Sequence, residues 1–463
     1  MITPYPDQST SIESVADMMR RGFRAVLLQG ATGSGKSIIA LAIIERAMKK
    51  QKTVWFVVPR RELLKQMAET FNNFDLQYSF IAAGYSYNPY SQAHICSVGT
   101  LQGRLARLKA PMLAILDETH YGGDGLDKII KWLKANGTWI IGLSATPWKM
   151  SGAGMKMWYD EMIQGPTIRW LIDNKRLADY RAFAPSHIDL SGIKITGGEF
   201  AKGQLAEKME GDRVLIGNAV AHYKKHAMGK LGVTFGVSRK HSEMLAQAYR
   251  DAGIPAMHID GETPDDERKR IAVAFAKREL LQLCNCDLLN MGYDLSSASG
   301  IKNVNIQCLT DCKPTKSLSG QLQKNGRNLR YDPEPHIFFD HSNNFQEHGL
   351  PCQDRVWSLE DREKTGRGGG ERTLPVRQCP TCYRCHAPAP VCPSCGFVYP
   401  IEGRQIKEVE GELSEVQIEQ IAKTKRMEVG SARSVDDLKK IAEERGYKRG
   451  WIMKQMQLKG IHA

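Results

Sequence analysis

The sequence predicts an α/β fold, with two tandem doubly wound parallel-sheet domains followed by a small cysteine ribbon and a helical tail. Three observations carry that expectation. Short apolar runs alternate with helix-patterned segments along most of the chain, as strands do when crossover helices bury both of their faces. The alternation pauses once and resumes, which indicates two such sheets. Beyond residue 350 the apolar runs stop and cysteines crowd together. A length of 463 residues, 42% hydrophobic and 25% charged, suits two or three domains with full-sized cores.

In the first half the strand runs are 25–28, 54–58, 112–116 and 139–143, with helical patterns over 37–49 and 62–72. Gly165-Pro166 reads as a hinge. The second half repeats the pattern, with strand runs at 233–237, 281–286, 304–309 and 336–340 and helical patterns at 242–252 and 267–277. The expected divisions are a first domain over 1–165, a second over 166–350, and a linker over 351–374 that is charged and contains Gly368–Gly370. The ribbon is expected over 375–400 and the helical tail over 405–463.

The net charge of +13 favours a polyanionic partner such as nucleic acid. No run approaches the ~20 apolar residues that span a bilayer, so no membrane association is expected. The first eight residues carry two prolines and an acid, with no apolar stretch behind them, so no signal peptide is expected.

Gly30-Ala31-Thr32-Gly33-Ser34-Gly35-Lys36-Ser37 matches G-x-x-x-x-G-K-[ST] in full, between an apolar run and a helical pattern. Its glycines let backbone N–H groups turn in around phosphate oxygens, and a helix N-terminus adds a favourable dipole. Lys36 is expected to pair with the β- and γ-phosphates of ATP, and Ser37 to ligate Mg²⁺. Asp117-Glu118-Thr119-His120 follows the run at 112–116, at the strand end where open α/β sheets bind ligands. Asp117 can hold Mg²⁺ and Glu118 can orient and deprotonate water. Two acids after a strand are, in isolation, more often a helix cap; the loop at Lys36 reverses that balance.

Cys379-x-x-Cys382 and Cys392-x-x-Cys395 form two knuckles suited to a structural tetrahedral Zn²⁺. Such a site supplies folding energy to a segment too short for its own core. Cys385 and His386 leave the ligand choice open, since either can replace a neighbour. Arg377 and Arg384 form a basic flank. The tail carries Lys423, Lys425, Arg426, Lys448, Arg449 and Trp451, which suit base stacking or a small helical cap around Trp451. Cys284 and Cys286 read as apolar filler.

These motifs together resemble the superfamily 2 helicases of the DEAD/DEAH-type branch, whose domains are RecA-like. Asp117–His120 looks like the D-E-x-H box, Ser144-Ala145-Thr146 like S-A-T, and Val58–Leu64 like motif Ia, with Thr100-Leu101 like the segment after it. Gly292-Tyr293-Asp294 looks like motif V, and Gln323–Arg330 like motif VI, Q-x-x-G-R-x-x-R. The set runs in family order through most of the chain. Asp340-His341, His348–Leu350, the cysteine ribbon and Gly446–Trp451 are similar to phage and prophage helicases, whose relatives include recombination helicases, XPB-type repair helicases and restriction-enzyme motor subunits. Two departures stand out. Lys324 occupies a position where the family often has arginine, and the N-terminal adenine-reading motif, with its glutamine at Gln8, lacks its usual arginine.

The resemblance implies an ATP-dependent DNA helicase or translocase acting on branched or duplex DNA in replication, recombination or repair. It implies a cytoplasmic place, beside the nucleoid or in a host cell if phage-encoded, with replication or recombination proteins as candidate partners. An RNA-remodelling ATPase and a nucleic-acid-binding scaffold with a silent ATPase are the alternatives. Arg327 and Arg330 are implied to act as fingers on the γ-phosphate, Gln323 to place the attacking water, Asp294 to touch the ribose or a water, and His120 to couple the parts. Candidate strand contacts are Arg60, Thr100, Arg239 and Thr263, which would hold phosphates without reading sequence.

Overall fold

The computed structural model describes residues 2–149, 152–184, 188–196, 198–291, 295–361, 376–400, 432, 434–444, 451–453 and 455–456. The chain divides into two units, 1–399 and 400–463.

The larger unit contains two sheets. The first has seven parallel strands, β1 (Ala25–Gln29), β2 (Val54–Val58), β3 (Ser79–Ile81), β4 (Ala93–Ser97), β5 (Leu113–Leu116), β6 (Trp139–Ser144) and β7 (Glu161–Gln164), in the order β3-β4-β2-β5-β6-β1-β7. Alternation along each strand makes two cores. Val26, Leu28, Val54 and Phe56 face one layer, shared with α1 (Pro6–Arg20), α2 (Lys36–Lys49) and α3 (Glu62–Asn73). Ala25, Leu27, Trp55 and Val57 face the other, shared with α4 (Val98–Arg104) and α5 (Asp124–Ala135). A strand with both faces covered reads as an unbroken apolar run, which is why β1 and β2 are legible in the sequence.

The second sheet is built the same way from β8 (Tyr180–Phe183), β11 (Gly232–Phe235), β12 (Ala256–Ile259), β13 (Gln282–Asn285), β14 (Cys308–Asp311) and β15 (His336–Asp340). A small hairpin, β9 (Ile195–Thr196) and β10 (Glu199–Phe200), lies between β8 and β11 in sequence. On one face Val233, Phe235, Leu283 and Phe338 pack with α6 (Ile168–Asp173), α10 (Asp265–Ala276), α11 (Leu295–Ser299) and α13 (Asn344–His348). On the other, Cys284, Cys308, Ile337 and Phe339 pack with α7 (Lys202–Gly211), α8 (Arg213–His226) and α9 (Arg239–Asp251). Burying a side chain such as Phe235 or Phe338 is worth about 1.5–3 kcal/mol. Helix α12 (Leu318–Arg327) leaves this domain for the cleft, where Leu318 and Leu322 pack on Trp148 of the first domain.

The cysteine ribbon is fused to the second sheet. Strands β16 (Arg377–Gln378) and β17 (Arg384–His386) form an antiparallel hairpin, and β17 pairs antiparallel with β8, giving the order β12-β13-β11-β14-β15-β8-β17-β16. Residues 351–361, expected to begin a linker, instead cross to the first domain. There Trp148 Nε1 donates to the Glu360 carbonyl at 3.0 Å, the Gly154 amide donates to Asp361 at 2.8 Å, and the rings of Trp148 and Trp357 lie 5.1 Å apart. The glycine-rich stretch that follows lies outside the described residues.

The strand expected at 304–309 is displaced to β14. Val304 and Ile306 are buried in the same core without pairing in the sheet, so burial alone produced the apolar run. Met112, expected to open β5, lies outside it and is 44% exposed. Strand β4 escaped the sequence reading because buried polar residues, His94 and Ser97, interrupt its apolar pattern.

In the smaller unit α14 (Val435–Glu444) starts with a reciprocal cap. The Ser434 amide donates to Asp437 Oδ2 at 3.0 Å and the Asp437 amide donates to Ser434 Oγ at 3.1 Å, which satisfies two orphan N–H groups. Leu438 and Ala442 are buried and Trp451 is half-buried. Lys423, Lys425, Arg426, Lys448 and Arg449 lie outside the described residues. No helix among the described residues is long and apolar enough to cross a membrane.

Candidate active site

Register places the site. In the first sheet β1 pairs with β6 and β5 with both β6 and β2, so the carboxyl ends of these strands lie side by side. Residues 30–37 leave β1 there. Gly33 and Gly35 take φ of 85° and 84°, a left-handed conformation that glycine adopts without steric cost. A Cβ at Gly35 would also lie 2.2 Å from Gln8 Nε2. The loop ends on the N-terminus of α2, which begins at Lys36 with Ser37 in its first turn. Lys36 Nζ donates to the Gly30 carbonyl at 2.8 Å and the Ala31 carbonyl at 3.2 Å. Gln8 is buried; its Nε2 donates to the Ser34 carbonyl at 3.2 Å and its Oε1 accepts from the Tyr5 amide at 3.0 Å. The sequence motif therefore brings Gln8, Lys36 and Ser37 to one rim.

Asp117 and Glu118 follow β5 directly. Glu118 has φ 47° and ψ 48°, a conformation that costs a non-glycine residue about 1–3 kcal/mol and is found where function demands it. The Glu118 amide donates to Asp117 Oδ1 at 3.0 Å. Burial, reinforced by the Glu118 charge and opposed by Lys36, pushes the Asp117 carboxyl up to about 7. Two carboxyls so close, one of them desolvated, make a donor set that a divalent cation relieves.

His120 is fully buried and joins three motifs. Ser144 Oγ donates to the Thr146 carbonyl at 2.5 Å, so it accepts from His120 Nδ1 at 3.0 Å. His120 Nε2 then accepts from Gln323 Nε2 at 2.7 Å, and Gln323 Oε1 accepts from the Tyr121 hydroxyl at 2.6 Å. This order requires a neutral ring protonated on Nδ1. Burial holds the His120 pKa below its usual value, in agreement. Burial also raises the Tyr121 phenol, keeping it a donor.

The two halves of the predicted site meet across the cleft. Besides the Gln323 contacts, Thr146 Oγ1 donates to Ser319 Oγ at 3.0 Å. Gly326 of α12 lies so close to the phosphate loop that a Cβ on it would sit 2.2 Å from Thr32 Cγ2. Arg327 closes α12, half-buried, with its charge felt at Tyr121. Arg330 donates to Ser296 Oγ at 3.2 Å, and its backbone bridges to Leu177. The Leu177 side chain in turn approaches Gly33. Asp294 lies outside the described residues.

Lys324 does not face the cleft. It is buried in the second domain, donating to Asp311 Oδ1 at 2.8 Å, Asp311 Oδ2 at 2.7 Å and the Lys313 carbonyl at 3.0 Å. Burial lowers its pKa and the Asp311 charge opposes this. The lysine-for-arginine departure therefore falls on an internal ion pair.

The four strand-contact candidates separate into two pairs. In the first domain the Arg60 guanidinium lies over the Tyr121 ring at 4.9 Å, and Thr100 Oγ1 accepts from the Ala83 amide at 3.0 Å. In the second, Arg239 and Thr263 share Asp260: Arg239 Nε and the Thr263 amide both donate to that carboxylate. Burial of Asp260 would raise its pKa, but the hydrogen bonds from Thr263, Arg239 and Glu262 outweigh it and hold the carboxyl well below the usual range.

At the ribbon, Cys379, Cys382, Cys392 and Cys395 gather their sulfurs within 4.8 Å of one another, with Cys379–Cys395 at 3.5 Å and Cys382–Cys392 at 3.7 Å. A tetrahedral site with metal–sulfur bonds of about 2.3 Å needs sulfurs about 3.8 Å apart, so the four thiols fit zinc. The two other candidates, Cys385 and His386, lie outside this group of four sulfurs. Cys385 turns into the second domain's core, and His386 Nε2 lies 2.8 Å from the Tyr399 hydroxyl. The Arg377 guanidinium lies over Tyr399 at 4.3 Å.

Three contributors went unnoticed in the sequence. Tyr121 had no motif to mark it beyond its place after His120. Arg176, whose guanidinium lies 3.4 Å from the Tyr5 ring centroid and pairs with Asp7, and Trp357 carry no local signal.

The chain is similar to several known proteins. The family described as "Type III restriction enzyme, res subunit" matches residues 1–149. A 51.5 kDa protein of a Lactococcus phage (isolate 7-9) is 32% identical over 398 residues, 85% of this chain and 83% of the phage protein. The putative ATP-dependent helicase IRC3 of Saccharomyces cerevisiae is 28% identical over 343 residues, 70% of this chain and 49% of the yeast protein. The chain thus spans about half the length of that yeast relative. Among solved structures, the ATP-dependent Type ISP restriction-modification enzyme LlaBIII bound to DNA superposes with a TM-score of 0.53 at 16% identity, covering 73% of this chain and 27% of that enzyme; this likeness is one of fold.

Proposed function

Because this chain belongs to the superfamily 2 helicases, we propose that it is an ATP-dependent DNA helicase or translocase that remodels branched or duplex DNA in replication, recombination or repair. One observation carries the motor reading: α12 of the second domain lies against the phosphate loop and acidic box of the first, through Gln323 on His120 and Gly326 on Thr32. Such a composite site is complete only when the domains close, so binding and loss of the γ-phosphate can drive movement.

In this reading residues 30–36 cradle the phosphates and Gln8 reads adenine. Glu118 takes the proton of the attacking water, placed by Gln323. Arg327 and Arg330 stabilise charge on the transferred phosphoryl group, and Asp294 touches the ribose or a water. Ser37 and Asp117 would hold Mg²⁺, which when bound neutralises charge between phosphate oxygens. The four knuckle cysteines would hold a structural Zn²⁺. Arg60, Thr100, Arg239 and Thr263 grip strand phosphates, with Arg239 positioned by Asp260. DNA is favoured by the relatives, which include a restriction-enzyme family and an enzyme solved on DNA.

The test is ATPase and strand-displacement activity on single-stranded, forked and duplex DNA and on matching RNA. Stimulation by DNA, abolished in Lys36→Ala with strand binding retained, is the expected result. Preferential stimulation by RNA would make this an RNA-remodelling ATPase. No hydrolysis with any nucleic acid would leave a binding scaffold.

A further inference from the structure

Tyr121 belongs to none of the motifs above, yet it lies between Gln323 of the candidate hydrolytic site and Arg60, a candidate strand contact. Its hydroxyl donates to Gln323 Oε1 at 2.6 Å, its ring packs on His120 at 4.4 Å, and the Arg60 guanidinium lies over the ring at 4.9 Å.

The two ends of the Gln323 carboxamide differ in chemistry, and a free carboxamide can turn over. Here a donor, the Tyr121 hydroxyl, meets its oxygen, and an acceptor, His120 Nε2, meets its nitrogen. Partners of opposite sense hold one orientation. Without the hydroxyl, only the histidine discriminates. At the other side, the Arg60 guanidinium carbon lies 4.9 Å from the ring centroid, a cation–π contact that leaves N–H donors able to meet a phosphate oxygen. A strand phosphate there would immobilise Arg60 and, through the stack, the Tyr121 ring.

We infer that Tyr121 is a positioning residue that links a strand held at Arg60 to the orientation of the Gln323 carboxamide. It makes strand occupancy legible at the hydrolytic site without a domain movement of its own. The inference rests on the motor reading and specifies how that motor is stimulated.

The test uses the full chain and Tyr121→Phe, which keeps the ring and removes only the hydroxyl. The readout is the ratio of kcat with saturating single-stranded DNA to kcat without it, measured alongside strand Kd and the KM for ATP. The ratio is expected to fall about three- to tenfold, the worth of one such hydrogen bond, with strand Kd and KM moving less than about twofold. In an Arg60→Ala background the same substitution is expected to change the ratio no further. An unchanged ratio in Tyr121→Phe overturns the inference. So does an effect that adds in full to that of Arg60→Ala, or a joint loss of ratio, strand affinity, KM and thermal stability, which marks a packing role. A parent that no nucleic acid stimulates refutes the motor reading itself, whereas a stimulated parent with an indifferent Tyr121→Phe refutes only the link.

Discussion

Replacing Gly326 with alanine separates domain closure from everything else the chain does. Within a helix, Gly→Ala ordinarily stabilises by up to about 1 kcal/mol, and Gly326 lies near the end of α12, so the second domain alone gains a little. The closed arrangement does not tolerate the methyl. It would lie 2.2 Å from Thr32 Cγ2 and 2.3 Å from Thr32 Cβ, where carbon atoms need about 3.5–4.0 Å. The helix must retreat on the order of 1 Å, taking Gln323 away from His120 and Tyr121. Misplacement of that size costs about 10²-fold in rate. Gly326→Ala is therefore expected to lower strand-stimulated kcat/KM about 100-fold, with an unreduced Tm and near-parental binding of an ATP analogue. Thr32→Gly in the same chain removes both clashing atoms and is expected to recover part of the rate, whereas Thr32→Ala keeps the offending Cβ and is not. Stimulated ATP turnover, analogue binding by fluorescence and thermal melting make up the assay. A Gly326→Ala enzyme within about threefold of the parent would show that the observed closure is not the working state and that the hydrolytic site is not shared between the domains.

Two further outcomes follow from the acidic box and the ribbon. Without nucleotide or divalent cation, Asp117 is raised to about 7 from an unfolded value near 3.9, so the folded state holds this proton more tightly. Its stabilising effect is complete below about pH 4 and is lost as pH rises to about 7. Asp117→Asn is thus expected to raise Tm more at pH 8 than at pH 4; an equal gain at both would contradict the desolvation account. One zinc per chain is expected by metal analysis, lost in Cys382→Ser. Because β17 extends the second sheet at β8, that variant or a strong chelator should also lower the main unfolding transition by several degrees, whereas a zinc-free protein with unchanged melting would mean that the knuckles are thermally independent of the sheet.

Much of the fold was legible because its physics is local. Strands β1, β2 and β6 are buried on both faces, so nearly every position along them had to be apolar. The phosphate loop was readable because left-handed backbone at Gly33 and Gly35 and a close approach by Gln8 leave little choice of residue. The cysteine pairs were readable because a tetrahedral thiolate site, which their four sulfurs would fit, imposes a spacing. Strand β4 was not, since His94 pairs its Nε2 with the Asn88 carbonyl at 2.9 Å and lies buried in the strand without being apolar.

What the sequence determined alone was the two parallel sheets and the loops and cysteine pairs at which candidate groups gather, since period, turn chemistry and ligand spacing act over a few residues. Tertiary structure decided which groups touch. His120 meets Gln323 across 203 residues of chain, Lys324 turns inward to Asp311, Trp357 crosses back to Trp148, and the ribbon joins β8. None of these has a local signature, because each is set by where two separately folded surfaces dock, and the free energy of docking depends on shape and buried polar pairing that no single segment contains.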